Sequence, residues 1–428
     1  MTKVQIQVFE HQSITYVGRY AMPEFTEKHH QAFESFFQKN ERTPFFELIP
    51  KGVRFKSYVG VIQIGDTVIE VLPKADRKNK SSASKETWQN ILLDMLRTCE
   101  LLKARQSSNA SLKLNRNSIL ELYFVLFLEE LEALLKQGLI KKYKSHQSQQ
   151  KALKGALVFS EQIKRNLIHK ERFYVRHQAY DRNHLLHQIL LEALLLIDRF
   201  DTGGVLKDRI GRLLLDFPKV DRRKIEADDF ERITNSRKHA PYERSLEIAK
   251  LLLLNFRPDL KAGRQNMIAL MFDMNTLWEE YVYRVLRKEL KNGWEVHGQK
   301  RKRFWEKKVI KPDIVLRHRE SGVVYVIDTK WKLPEKNKPS DNDLKQMFAY
   351  NHYWKCTHSL LLYPSDSTES GIKGGYSEKI IINEAQEDHF CSMGYLDLVE
   401  YYQNRDKWSV SVAIRNMLEI DTLNSTEC

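Results

Sequence analysis

The chain has 428 residues, of which 42% are hydrophobic, so its composition argues against disorder and allows two or three domains with cores of their own. Its 70 lysines and arginines outnumber its 56 aspartates and glutamates, and the formal net charge of +14 favours a polyanionic partner. No apolar run near the start resembles a signal peptide, and none elsewhere is long enough to cross a bilayer. We therefore expect a cytoplasmic protein without a membrane segment.

Residues 1–87 are predicted to form a β-rich N-terminal module. The segments "VQIQVF" and "RFKSYVGVIQIGDTVIEVLPK" alternate apolar and polar residues, as strands do, and Gly65 and Asp66 are typical of a tight turn between two strands. One helix is predicted in "EKHHQAFESFFQKN", where three phenylalanines recur at helical spacing.

Residues 88–263 are predicted to be a mainly helical middle region. The segment "SILELYFVLFLEELEALLKQG" is typical of a buried helix, with Gly138 at its C-terminal end. The following segment, "KKYKSHQSQQKALKG", is basic and rich in glutamine. Its pattern leaves two interpretations open, a projecting loop or hairpin and a plain solvated connection.

Residues 264–428 are predicted to form a compact α/β domain. A long amphipathic helix is expected over "NMIALMFDMNTLWEEYVYRVLRKELKNG", ending at Gly293. Strands are expected in "WEVHGQ", "KPDIVLRH", "GVVYVIDTKW" and "HSLLLYPS", and a helix in "SDNDLKQMFAYNHYWK" before the last of them. The predicted fold class is therefore α+β and multidomain.

Three ionisable residues interrupt two of these apolar strands. Alternate residues of a strand share a face, so Asp328 and Lys330 project together, while Asp313 follows a proline at the start of the preceding strand. Burying such groups is costly unless they serve a purpose. Phosphodiester hydrolysis requires a hard cation such as Mg²⁺, held by carboxylates, and a group that stabilises developing negative charge. Asp313, Asp328 and Lys330 are predicted catalytic residues, and the two aspartates are also the predicted metal ligands.

Two residues on the flanking helices are further candidates. Glu279, in "LWEEYV", is a candidate third oxygen ligand, although a solvated helix glutamate is the alternative. Gln346 shares a helix face with Tyr350 and is a candidate catalytic residue that supports the attacking water or the DNA backbone.

A strongly basic segment precedes Asp313. Between Gln299 and Arg319 there are nine lysines or arginines and two acidic residues. Basic residues interspersed with Phe304 and Trp305 suit a nucleic-acid backbone, and a solvated charged rim is the alternative. The predicted DNA-binding residues are Lys300, Arg301, Lys302, Arg303, Lys307 and Lys308.

Several segments in one order resemble the McrC family, the nuclease subunits of McrBC-type restriction systems. The segments "FDMNTLWEEYV", "KPDIVL", "VIDTKWK" and "DLKQMFAY" are similar to that family's PD-(D/E)xK nuclease pattern. Upstream, "YVGVIQIGDTVIEVLPKA" and "LKGALVFSEQIKRNLIHKERFYVRH" resemble its N-terminal and middle regions. The resemblance implies a PD-(D/E)xK endonuclease-like fold for residues 264–428.

The resemblance also implies a function and a partner. It implies a Mg²⁺-dependent type IV restriction endonuclease subunit that cuts double-stranded DNA and stimulates the GTPase of an McrB-like AAA+ ring. That ring would recognise 5-methylcytosine or another modified base and would bind the GTP, and the chain's N-terminal and middle regions would bind the ring. The sequence itself has no GxxxxGK[ST] phosphate loop. The alternative function is a regulatory subunit that activates an NTPase ring without cleaving DNA.

Overall fold

The computed structural model describes most of the chain. The described residues are 4–39, 43–74, 84–102, 118–201, 204, 206–233, 237–257, 267–290, 293–332, 334, 338–366, 371–404 and 409–420. Within them the chain has a mixed α/β fold with several sheets and twelve α-helices. No helix in these ranges has the length and apolar character needed to cross a membrane.

The helices are distributed along the whole described chain. They are α1 (Glu27–Lys39), α2 (Lys85–Thr98), α3 (Ile119–Gln137), α4 (Phe159–Asn166), α5 (Leu185–Phe200), α6 (Lys207–Asp216), α7 (Ala227–Glu231), α8 (Glu243–Leu254), α9 (Met274–Glu289), α10 (Asp341–Trp354), α11 (Leu398–Gln403) and α12 (Val410–Met417).

Most of the strands lie within residues 4–72 and 256–397, and three lie between these ranges. The first eleven are β1 (Val4–Phe9), β2 (Ser13–Thr15), β3 (Phe46–Ile49), β4 (Gly52–Phe55), β5 (Tyr58–Ile64), β6 (Thr67–Leu72), β7 (Lys142–Gln150), β8 (Ala156–Leu157), β9 (Phe173–Asp181), β10 (Phe256–Arg257) and β11 (Met267–Asp273). The other ten are β12 (Trp294–Gly298), β13 (Lys302–Trp305), β14 (Lys308–Ile310), β15 (Ile314–His318), β16 (Val324–Thr329), β17 (His358–Ser365), β18 (Ile372–Gly375), β19 (Ile380–Ile382), β20 (Ala385–Glu387) and β21 (Phe390–Asp397).

The largest sheet belongs to the C-terminal part of the chain and has the order β12-β15-β16-β17-β21-β18. β15 pairs antiparallel with β16, whereas β16, β17 and β21 are parallel neighbours. Parallel strands need a crossover connection, and α10 supplies it between β16 and β17 and packs against both. Val326, Met347, Tyr350 and Leu361 belong to the buried core formed by this helix and the sheet.

A second sheet has the order β1-β6-β5-β11-β10, and β2-β4-β3, β7-β9-β8, β13-β14 and β19-β20 form smaller sheets. The predicted turn at Gly65 and Asp66 is confirmed, since β5 ends at Ile64 and β6 begins at Thr67. Gly65 has a φ of +54°, a conformation that suits glycine in a two-residue hairpin loop.

The predicted strands and the later helix of the C-terminal part are confirmed by β12, β15, β16, β17 and α10. The long helix predicted to end at Gly293 is wrong in its first part, where the chain forms strand β11. An apolar run such as "MIALMF" has no period that separates a buried strand from a buried helix. Asp273 then starts α9, because its side chain accepts from the backbone N–H groups of Asn275 and Thr276.

The segment with two open interpretations forms β7, an exposed strand that pairs along its full length with β9. The middle region is therefore mainly helical but contains a three-stranded sheet. The single helices predicted in "EKHHQAFESFFQKN" and "SILELYFVLFLEELEALLKQG" are confirmed as α1 and α3.

The chain divides into two compact units. The first comprises Met1–Val4, Gln63–Val68 and Asn109–Leu270, and the second comprises Gln5–Ile62, Ile69–Ser108 and Met271–Cys428. The division of the sequence into 1–87, 88–263 and 264–428 stays a prediction.

Candidate active site

The candidate site lies at one end of the paired strands β15 and β16, within the second unit. Asp313 directly precedes Ile314, whose partner across the strand pair is Ile327, and Asp328 directly follows Ile327. The two carboxylates therefore occupy adjacent positions on neighbouring strands. Asp313 Oδ2 accepts hydrogen bonds from the Thr329 backbone N–H (2.7 Å) and hydroxyl (2.8 Å), which fix its carboxylate against β16.

The lysine of the predicted motif reaches the second carboxylate directly. Lys330 Nζ lies 2.6 Å from Asp328 Oδ2, and the Lys330 backbone N–H bonds to the carbonyl of Leu362 on β17. Asp328 is almost fully buried and the Lys330 side chain is 22% exposed. Because this ion pair is largely shielded from water, the sheet that carries it determines its position.

Gln346 on α10 contacts both members of this pair. Its Oε1 accepts from Lys330 Nζ (3.2 Å), and its Nε2 donates to Asp328 Oδ1 (3.2 Å). The same Nε2 lies 2.7 Å from the Tyr350 hydroxyl, which donates to the carbonyl of Lys311 (2.8 Å). The helix face predicted from the spacing of Gln346 and Tyr350 thus points into the site.

Glu279 lies beside this cluster rather than inside it. It is half-buried on α9, and its Oε1 accepts from Gln299 Nε2 at 2.6 Å. The backbone N–H of Gln299 donates to the Asp313 carbonyl (2.8 Å), so this glutamine links the helix to the first aspartate. The structure brings Asp328, Lys330 and Gln346 into direct contact, and it places Asp313 and Glu279 next to them.

The acidic groups of the site influence one another through charge. Burial, and secondly the Asp313 carboxylate, raises the pKa of Asp328, while Lys330 acts in the opposite direction. Burial and Asp313 likewise raise the pKa of Glu279 against the hydrogen bond from Gln299. Burial alone would lower the pKa of Lys330, but the carboxylates of Asp328, Asp343 and Asp313 outweigh it, so this pKa is raised.

This donor set fits a hard divalent cation. The repulsion between Asp313 and Asp328 is the kind that a bound cation relieves, and Mg²⁺ commonly takes only one or two carboxylates from the protein. Across the described ranges, no group of three or more His, Cys, Asp or Glu side chains is arranged to hold a metal. Asp313 and Asp328, at adjacent positions on neighbouring strands, are the candidate ligands, and Glu279 adds charge beside them.

The predicted DNA-binding residues lie on and around the hairpin of β13 and β14. Five of these residues are exposed: Lys300, Arg301, Arg303, Lys307 and Lys308. Trp305, near the tip of the hairpin, is 57% exposed. Lys302 is different, because its ammonium donates to the carbonyl of Tyr353 and lies 5.0 Å from the centre of the Trp354 ring. Burial, with the nearby Lys300, lowers the pKa of Lys302.

Three further residues belong to the site and were not singled out from the sequence. Lys332 Nζ lies 2.6 Å from Asp343 Oδ2, and the other oxygen of Asp343 lies 3.8 Å from Lys330 Nζ. The position of Asp343 three residues before Gln346, on the same helix face, was the available signal. Gln299, the third of these residues, offered no such signal. Its partner Glu279 lies on a different element, and no local spacing relates the two residues.

Comparison with known proteins points to one family. The sequence model described as "McrBC 5-methylcytosine restriction system component" matches residues 53–364, well over half of the chain. No protein among the curated ones matches the chain in sequence.

Two solved structures match the chain, both from Thermococcus gammatolerans. A chain of the half-complex from a tetradecameric assembly of McrB AAA+ hexamers with bound McrC matches with a TM-score of 0.66 and 21% identity, over 98% of this chain and 100% of that chain. A chain of the McrBC complex matches with a TM-score of 0.49 and 22% identity, over 68% of this chain and 89% of that chain.

Proposed function

The chain belongs to the family of McrBC 5-methylcytosine restriction system components, and from this premise we propose that it is the DNA-cleaving subunit of a modification-dependent restriction complex. The observation that carries the proposal is the cluster of Asp328, Lys330 and Gln346, with Asp313 at the adjacent strand position. The reaction is the Mg²⁺-dependent hydrolysis of phosphodiester bonds in double-stranded DNA.

The chain's own residues divide the chemistry between them. Asp313 and Asp328 would hold the Mg²⁺, with Glu279 as a further acidic group beside them. A cation held there would supply positive charge to neutralise the phosphoryl oxygens and to favour attack by water. The Lys330 ammonium donates a hydrogen bond to the attacking water or to the oxygen that gains negative charge. Gln346 holds both Lys330 and Asp328 in place, since it bonds to each of them.

The partner in this proposal is an McrB-like AAA+ GTPase ring, which binds the GTP and selects the methylated DNA. Support comes from the similar solved chain, which belongs to an assembly of McrB AAA+ hexamers with bound McrC. This chain has no GxxxxGK[ST] motif, which agrees with GTP binding by the partner. Its formal net charge of +14 agrees with contact with DNA. The chain would stimulate the GTPase of the ring, and the assembled complex would act in the cytoplasm.

The first experiment compares the wild type with Lys330→Ala in the assembled complex. The purified chain is incubated with the McrB-like AAA+ GTPase encoded beside it, together with GTP, Mg²⁺ and either methylated or unmethylated plasmid. We expect cutting of methylated DNA only and a loss of about 100-fold or more in the variant, because the positive charge that stabilises the transition state is removed. Lys345→Ala is the matched control, since Lys345 is exposed on α10 next to Gln346.

Equal cutting by Lys330→Ala and the wild type would refute the assigned site. A second candidate function is a separate outcome of the same experiment. That candidate is a regulatory subunit that activates the NTPase ring without cleavage. It predicts stimulated GTP hydrolysis with intact methylated plasmid, for the wild type and Lys330→Ala alike.

A further inference from the structure

Asp343 is a buried acidic residue at the start of α10 with two basic neighbours. Its side chain is 9% exposed, and its Oδ2 lies 2.6 Å from Lys332 Nζ. Its backbone N–H bonds to Ser340 Oγ (3.2 Å), which caps the helix. The first contact holds one carboxylate oxygen and the second holds the backbone, and the remaining oxygen, Oδ1, faces Lys330 Nζ at 3.8 Å.

Lys330 consequently has two carboxylates within reach. The nearer is Asp328, 2.6 Å away, and the second is Asp343 at 3.8 Å. Asp328 has competing tasks under the proposed function, because a carboxylate oxygen that binds Mg²⁺ is no longer fully available to the lysine. A largely buried ammonium that loses its counter-charge is strongly destabilised. A second carboxylate that does not bind the metal removes this conflict.

We propose that Asp343 is a positioning residue that holds the Lys330 ammonium in the site while Asp328 serves as a metal ligand. The inference rests on the proposed function and extends it to a residue that was not singled out from the sequence. Asp343 acts through Lys330, and Lys332 balances its charge on the side away from the site lysine. Without Asp343, Lys330 falls back on Asp328 and competes with the cation for that carboxylate.

The test is a double-mutant cycle between Asp343 and Lys330 with cation binding as the readout. Ca²⁺ replaces Mg²⁺ as a hard cation, and its half-saturating concentration is read from the rise in melting temperature of the full chain. Four proteins are compared: the wild type, Asp343→Asn, Lys330→Met and the double variant. Asp341→Asn is the matched control, because Asp341 lies in the same first turn of α10 and is exposed.

We expect Asp343→Asn to raise the half-saturating Ca²⁺ concentration roughly 10-fold when Lys330 is present and less than about 2-fold in the Lys330→Met background, because the two effects couple through one contact. In the assembled complex, Asp343→Asn should lower kcat for plasmid cleavage while KM for DNA stays unchanged. Asp341→Asn should change Ca²⁺ binding by less than about 2-fold, since an exposed charge of this kind is screened.

Two results would overturn the inference. One is an equal weakening of Ca²⁺ binding with and without Lys330, which would mean that Asp343 contributes only general negative charge. The other is an equal effect of Asp341→Asn and Asp343→Asn. Failure of the proposed function would give a different result. Ca²⁺ would then not raise the melting temperature of the wild type, or Asp328→Asn would leave that rise unchanged.

Discussion

Glu10 is a buried carboxyl group that contacts the residue following the site lysine. Its Oε1 accepts from the Trp331 indole N–H (2.6 Å) and from the Lys74 backbone N–H (2.9 Å). Burial is the largest influence on this group and raises its pKa to about 7, against these two hydrogen bonds. The N-terminal part of the chain thus fixes the strand end that carries Lys330.

The raised pKa of Glu10 predicts a pH-dependent cost to stability. The pKa of Glu10 is about 7 in the folded protein, against an ordinary value of 4.5. The contribution of Glu10 to the free energy of unfolding is therefore fully present below pH 4.5 and is lost as the pH rises through 7. Glu10→Gln retains an acceptor for Trp331 but cannot ionise. We therefore expect its free energy of unfolding, relative to wild type, to rise by on the order of 3 kcal/mol between pH 5 and pH 8.

Denaturant unfolding at several pH values measures this difference directly. Subtracting the wild type at each pH removes the contribution of other titrating groups, provided that they do not interact with Glu10. A difference that stays constant from pH 5 to pH 8 would show that Glu10 titrates normally in the folded protein.

The site residues divide into those that local pattern could predict and those that it could not. Asp328 and Lys330 share a strand face by simple alternation, and Gln346 and Tyr350 share a helix face by spacing. The bond between Trp331 and Glu10 joins residues 321 positions apart, and no local pattern encodes such a pair. Gln299 and Glu279 are linked in the same way, across a strand end and a helix.

At the scale of elements, the apolar strands of the large sheet were the most predictable and the atypical strands the least. β16 and β17 are almost continuous buried runs between polar segments, as parallel strands are. β7 consists mainly of lysine, serine and glutamine, with one tyrosine and one histidine. It has strand geometry because β9 pairs with it. Pairing between distant segments decided its structure, and its own sequence gives little sign of it.

The hairpin of β13 and β14 leads to a prediction about DNA affinity. It is inserted between Gln299, which contacts Glu279, and Lys311, whose carbonyl binds Tyr350, so both its ends adjoin the candidate site. Replacing its exposed Arg303, Lys307 and Lys308 by alanine should make the negative slope of log affinity against log salt concentration shallower by about 2.7, since each phosphate that is no longer neutralised reduces its magnitude by about 0.9.

Binding of a short duplex to the assembled complex, titrated at several salt concentrations, gives this slope. The matched control removes three other exposed cations, Arg287, Lys288 and Lys345. If the slope becomes shallower by the same amount in both variants, DNA affinity depends on net charge alone and the hairpin has no specific role in DNA binding.

At the scale of the whole molecule, the division into two compact units is the main determinant of how the chain should unfold. The first unit has fully buried leucines such as Leu194 on α5, and the second has others such as Leu361 on β17. The candidate site lies entirely in the second unit, because Glu279, Asp313, Asp328, Lys330 and Gln346 all belong to Met271–Cys428. The prediction is that a substitution in the first unit lowers that unit's stability and leaves the chemistry of the second in place.

Calorimetry of matched core variants tests this independence. Leu194→Ala and Leu361→Ala each remove a fully buried side chain and should each cost about 3 kcal/mol. Because Leu194 and Leu361 belong to different units, we expect each variant to move the thermal transition of its own unit down by about 5–10 °C and to leave the other in place. If both substitutions shift one and the same transition equally, the chain unfolds as a single cooperative body and the two units are not thermodynamically separate.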